Sequence, residues 1–97
     1  DFDGNVLAWN PAAMRLYGYS EEEAIGMNIR KILPESDYSR QRDLYSALQR
    51  GKSPGPIQVS RITRQGEIIT VTLMASVVMD KDGKPTAVAT TEKRTDT

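Results

Sequence analysis

Gly18-Tyr19-Ser20-Glu21-Glu22-Glu23-Ala24-Ile25-Gly26 is the stretch on which the reading of this chain turns. Ser20 followed three residues later by Glu23 spells a capping box. The serine hydroxyl accepts from the third helical amide, and the glutamate reaches back to the amide of the cap. The acids Glu21, Glu22 and Glu23 also suit the positive end of a helix dipole. Gly18 stops whatever helix precedes this one, and Gly26 ends the new helix after a single turn. The stretch therefore predicts two short helices meeting at a sharp corner.

Upstream, Asn10-Pro11 opens the first of them. Asn can accept from the free amides of the first turn, and Pro there has no donor to lose. Ala13, Leu16 and Tyr17 fall on one helical face. Before that helix, Asp3-Gly4-Asn5 marks a turn, and Val6-Leu7-Ala8-Trp9 reads as a short strand.

Downstream, Asn28 to Leu33 reads as another short helix ended by Pro34, and a longer one runs from about Asp37 to Arg50, with Gly51 as its cap. Tyr38, Tyr45 and Leu48 fall on a common side of it, leaving Arg40, Arg42 and Arg50 in water. After the breaker Pro54-Gly55-Pro56 the period changes to two. Ile57 and Val59 begin a strand, Arg64-Gln65-Gly66-Glu67 forms a hairpin turn, and Ile68 to Met79 is a long strand. Its Ile69, Val71, Leu73, Ala75, Val77 and Met79 share one face. The other face is polar apart from Met74 and Val78. Asp80-Lys81-Asp82-Gly83 turns the chain again, and Thr86 to Arg94 is the last strand. A strand, several short helices and then three antiparallel strands is an α+β order.

Composition narrows the function. The 97 residues make one domain, with a 38% apolar fraction that allows a modest core. Thirteen basic residues balance thirteen acidic ones, without the basic excess of a nucleic-acid module. No apolar run approaches the roughly 18 residues of a membrane span. There is no Cys, hence no disulfide, thiolate metal site or Cys nucleophile. There is no His either, which removes the commonest general base and metal ligand. A small enzyme would have to rely on carboxylates such as Glu23 or Glu67, so the chain reads as a non-enzyme. Gly51-Lys52-Ser53 is not a phosphate loop, because Ser46 stands where Gly is required and a helix precedes it. Asp1-x-Asp3-x-Asn5 is not a calcium loop, because Val6 replaces the needed Gly and Ala12 the bidentate acid.

Taken in order, Asp3-Gly4, Asn10-x-Ala12, Gly18-Tyr19-Ser20-x-x-Glu23-x-Ile25-Gly26, Arg64-x-Gly66 and Asp82-Gly83 resemble a PAS sensor domain over essentially the whole chain. The resemblance implies a five-stranded antiparallel sheet with short helices packed over one face. Val6–Trp9 would then be the family's second strand. The first strand, central in the family's sheet, would precede Asp1, so residues 1–97 read as a single domain cut inside its N-terminal edge. Thr95-Asp96-Thr97 only loosely matches the family's C-terminal signature.

The resemblance also implies a function: a cytoplasmic sensory module of a bacterial-type signalling protein, either a histidine kinase of a two-component system or a cyclic-dinucleotide enzyme. Its partners would be a second copy in a homodimer, an effector domain of the same parent chain and a small ligand, with neither nucleic acid nor membrane insertion. The alternative is a ligand-free dimerisation or protein-interaction domain. PAS relatives that ligate haem use His, and those forming a flavin–cysteinyl adduct use Cys. Both are excluded here by composition, and no metal site is expected. Non-covalent flavin or a small organic ligand remains open. Candidate lining residues for such a ligand are Met14, Tyr17, Ile29, Leu33, Tyr45, Val71, Leu73 and Ala75, although Met, Leu and Tyr on inward faces more often simply fill a core. Glu23 and Arg64 are read as a structural latch, buried or exposed, Asn10 and Ser20 as helix caps, and Met74 and Val78 as interface candidates on the outer sheet face.

Overall fold

A computed structural model describes residues 1–52 and 55–95. Ser53 of the rejected phosphate motif, Pro54 of the breaker, and Asp96 and Thr97 of the C-terminal triplet lie outside them.

Helix α1 (Pro11–Tyr17) starts where Asn10 caps it, the Asn10 side chain accepting from the Ala13 amide at 2.8 Å. It stops at Gly18, whose φ of 86° is the left-handed conformation that only glycine adopts without strain. Helix α2 (Glu21–Ala24) carries the full capping box. The Glu23 amide donates to Ser20 Oγ at 3.1 Å, and the Ser20 amide donates to Glu23 Oε1 at 3.0 Å. A 3-10 turn (Ile29–Ile32), capped by Asn28, and a second one (Glu35–Asp37) lead into α3 (Tyr38–Gln49).

The strands β1 (Ile57–Ile62), β2 (Ile68–Met79) and β3 (Pro85–Arg94) form an antiparallel meander in the order β1-β2-β3. Their register aligns Val59 with Val71 and Arg61 with Ile69 on one side of β2, and Leu73 with Glu92 on the other. An irregularity at Val78 and Met79 bends the far end of the long hairpin. Ile69, Val71 and Leu73 are fully buried beneath the helices, while Met79, expected on that face, is exposed. The core is completed by Trp9, Tyr17, Ala24, Ile32, Leu33, Leu44 and Leu48.

Val6–Trp9 is not a strand of this sheet, contrary to the sequence expectation. It lies beside residues 26–29 instead. The Val6 amide donates to Met27 O, the Gly26 amide to Val6 O and the Ile29 amide to Gly4 O, with Asn5 and Asn28 forming an isolated bridge. A strand requires a ladder along its length, and this run finds only one bridged corner. Gly4 makes that corner close: its φ is 89°, and a Cβ there would lie 3.1 Å from both Asn28 Oδ1 and Ile29 Cγ2.

Polar side chains dock α3 and its lead-in against the outer edge of β1. The buried Asp37 accepts from the Ser60 amide at 2.9 Å, and Arg40 Nη1 donates to Gln58 O at 2.9 Å. Asp37 consequently leaves the N-terminus of α3 without a side-chain cap. What it does instead is satisfy a sheet edge that would otherwise be open to another strand.

Candidate functional site

The inner face of the sheet does not close completely against the helices. A cavity of about 490 Å³ lies between the segment leading into α1, α1 itself, α3 and the inner side of β3. Its apolar walls include Val6, Trp9, Leu16, Ile29, Leu44, Leu73 and Val88, and its polar walls Gln41, Tyr45, Arg61 and Glu92. Trp9 is held rigidly there. Its indole Nε1 donates to Tyr19 O at 2.9 Å, and its ring sits 5.7 Å from that of Tyr17. A smaller space of about 190 Å³ on the other side of Tyr45 is lined by Phe2, Ile29, Leu33 and Tyr38 among others.

The strand register explains the charged wall. Arg61 follows Val59 by two residues, so the same alternation that buries Val59 turns Arg61 inward. Glu92, opposite Leu73, points the same way from β3. The two meet across β2, with Arg61 Nε 3.7 Å from Glu92 Oε1, and Arg61 is only 2% exposed. Burial holds the Glu92 carboxyl above the usual carboxylate range, against the pull of the Arg61 guanidinium. The Tyr17 hydroxyl is near enough to feel both charges but makes no hydrogen bond. Burial, and then Glu92, pushes it well above its ordinary value. Tyr45 is also raised by burial.

The predicted lining residues divide. Ile29, Tyr45 and Leu73 line the larger cavity, and Leu33 lines only the smaller one. Tyr17 and Val71 are fully buried and fill the core rather than facing the space. Ala75 is half-buried and does not line either space, and Met14 is exposed on α1. Trp9, Leu44, Arg61 and Glu92 were not singled out. The two-residue spacing of Arg61 from the buried Val59 marks it in the sequence as inward-facing.

Glu23 and Arg64 do meet. Arg64 pairs with the Glu23 carboxylate through Nη1, and both side chains stay substantially exposed. Hydrogen bonding from the Ser20 amide, more than the guanidinium, holds the Glu23 carboxyl below its ordinary range. Arg64 also lies over the Tyr19 ring, 5.9 Å from its centroid. Met74 and Val78 are exposed, at 55% and 45%, and Val78 reaches the cavity rim. Among the described residues no group of His, Cys, Asp or Glu could hold a metal ion, and no helix is long and apolar enough to cross a membrane.

Comparison with known proteins agrees with this architecture. The family model described as "PAS fold" matches residues 1–91. The sensor protein FixL of Bradyrhizobium diazoefficiens is 39% identical over 62 residues, covering 64% of this chain but only 12% of that protein. A PAS domain from Colwellia psychrerythraea superposes with a TM-score of 0.87 at 19% identity, over 95% of this chain and 78% of that one. The LOV protein of Rhodobacter sphaeroides gives a TM-score of 0.78 at 19% identity, over 95% of this chain and 52% of that one.

Proposed function

This chain belongs to the PAS family, and from that membership we propose that it is the sensory module of a larger signalling protein. The parent would be a histidine kinase or a cyclic-dinucleotide enzyme. The partial match to a sensor protein, confined to a small fraction of that protein's length, supports this placement. The module perceives a small ligand and relays a change in conformation or dimerisation to an effector domain in the same parent chain.

The observation that carries this reading is the cavity between sheet and helices, with a charged pair among its apolar and polar walls. A ligand seated there touches α1, α3 and β3 together. It can shift the equilibrium between two arrangements of these elements by its difference in affinity for them. The composition, with no His or Cys, does not fit His-ligated haem or a cysteinyl-flavin adduct. Non-covalent flavin or another small organic molecule fits the donors present. Nor do the carboxylates considered for catalysis favour an enzyme. Glu23 is engaged in its capping box and with Arg64, and Glu67 lies 3.5 Å from Arg94.

From membership of the PAS family we also propose that a further strand of the parent protein pairs with the edge of β3 left free among the described residues. The second reading is a ligand-free dimerisation domain, favoured by the exposed Met74 on the outer sheet face and the exposed Val78 at the cavity rim. Native mass spectrometry of the purified protein separates the two. A retained small molecule supports sensing; a bare dimer to which no ligand can be added supports association.

A further inference from the structure

Asp37 and Arg61 are the buried charged residues among those described, and they are not equally satisfied. Asp37 receives the Ser60 amide. Arg61 donates from Nη1 to the neighbouring Ser60 carbonyl at 3.1 Å, while its buried Nε donates to nothing. The Glu92 oxygen facing it, at 3.7 Å, is beyond hydrogen-bond reach. A guanidinium so far from water is costly unless its donors are filled. This one lines a cavity of about 490 Å³ whose neighbouring walls are Trp9, Leu16 and Leu44.

We propose that the cavity binds a small organic carboxylate, with its headgroup on the guanidinium of Arg61, its apolar tail against Trp9, Leu16 and Leu44, and Glu92 taking up a proton from solvent as the ligand enters. The inference rests on the ligand-sensing reading above. The guanidinium fork matches a carboxylate's two oxygens and gives the strongest hydrogen bonds available to it. A second carboxylate beside Glu92 would place two like charges in a space of low polarity, and one of them must be neutralised. The titratable groups facing Glu92 are Arg61 from β1, Tyr17 from α1 and Tyr45 from α3. Both tyrosines are already neutral and arginine stays charged, so the proton goes to one of the two carboxylates, and the ligand, lying on the Arg61 fork, leaves Glu92 as the one to take it. Burial already biases Glu92 toward the protonated form. Once protonated, it can donate to the ligand instead of repelling it.

The test is calorimetry at pH 7 with straight-chain carboxylates from acetate to octanoate, each compared with its own primary amide, in two buffers of different ionisation enthalpy. At least one carboxylate should bind roughly tenfold or more tightly than its amide, with net uptake of protons. Glu92→Gln should tighten carboxylate binding and abolish the proton uptake, whereas Arg61→Gln should reduce the carboxylate to the level of its amide. Should Arg61→Gln fail to fold, Glu92→Gln still decides, since a merely structural ion pair would make that variant bind more weakly. Equal binding of acids and amides, weaker binding by Glu92→Gln, or no proton uptake overturns the carboxylate assignment while leaving a ligand-sensing cavity. Binding by neither series overturns both.

Discussion

Arg64, in the turn between β1 and β2, pairs with Glu23 of α2, 41 residues away in sequence. The contact fastens the sheet's hairpin to the corner made by α1 and α2. It is reinforced by the Arg64 amide, which donates to Tyr17 O at 2.8 Å. Because both side chains are largely in water, the charge pair itself is screened and the cap does more of the stabilising.

Substitutions at Glu23 should therefore separate the two roles. Glu23→Gln keeps an oxygen for the Ser20 amide and loses only the charge, so its melting temperature should fall less than that of Glu23→Ala. The coupling between Glu23 and Arg64 in a double-mutant cycle should be small and shrink further as salt is added. A large, salt-independent coupling would show the pair to be a buried latch after all. The pH dependence follows from the lowered carboxyl of Glu23. A depressed acid stabilises above its unfolded value, about 4.3, and that contribution is lost as pH falls through the lower folded value.

Asp37 offers a sharper effect. Its carboxylate is buried against the Ser60 amide on the outer edge of β1. Asp37→Ala leaves that amide without an acceptor and should cost about 1–3 kcal/mol. Hydrogen exchange should accelerate at Ser60 more than at Val71 in the centre of the sheet. Uniform acceleration across both positions would place the loss in global stability instead.

The same residue shows what could and could not be read in advance. Caps, turns and the span Ile68–Met79 are written in local chemistry: Asn10-Pro11, Ser20 with Glu23, and a long run of period two. Asp37 looks like a helix start, and only the arrival of β1 gives its carboxylate a stronger claim. Val6–Trp9 failed for a related reason, since a short apolar run becomes a strand only where a ladder accepts it. On α3, Leu48 and Tyr45 face inward as their spacing implies, while Tyr38 at the helix start is exposed and Leu44 is buried in its place. Arg61 and Glu92 were missed because alternation was read as apolar inside and polar outside, and a cavity wall breaks that equation.

If the outer sheet face is the dimer surface, Met74→Lys should shift the protein toward monomer in sedimentation equilibrium. Met74 is 55% exposed, so the change should alter the monomer's own stability by less than about 0.5 kcal/mol. Unchanged association would remove Met74 from the interface.

Glu92 provides the last prediction, and its sign runs opposite to that of Glu23. Burial raises its carboxyl, so the folded chain holds the proton more tightly than the unfolded one and pays for the ionised form. That penalty is absent below the unfolded value and present in full once pH exceeds the folded one. Glu92→Gln should accordingly melt no lower than the parent at pH 7, with any gain disappearing as the solution is acidified. Removing the other partner acts differently. Arg61→Met strands a buried carboxylate and should cost about 3–5 kcal/mol at pH 7, whereas Arg61→Met with Glu92→Leu should recover most of the loss. A double variant as unstable as Arg61→Met alone would mean that the charged pair itself is needed for the fold.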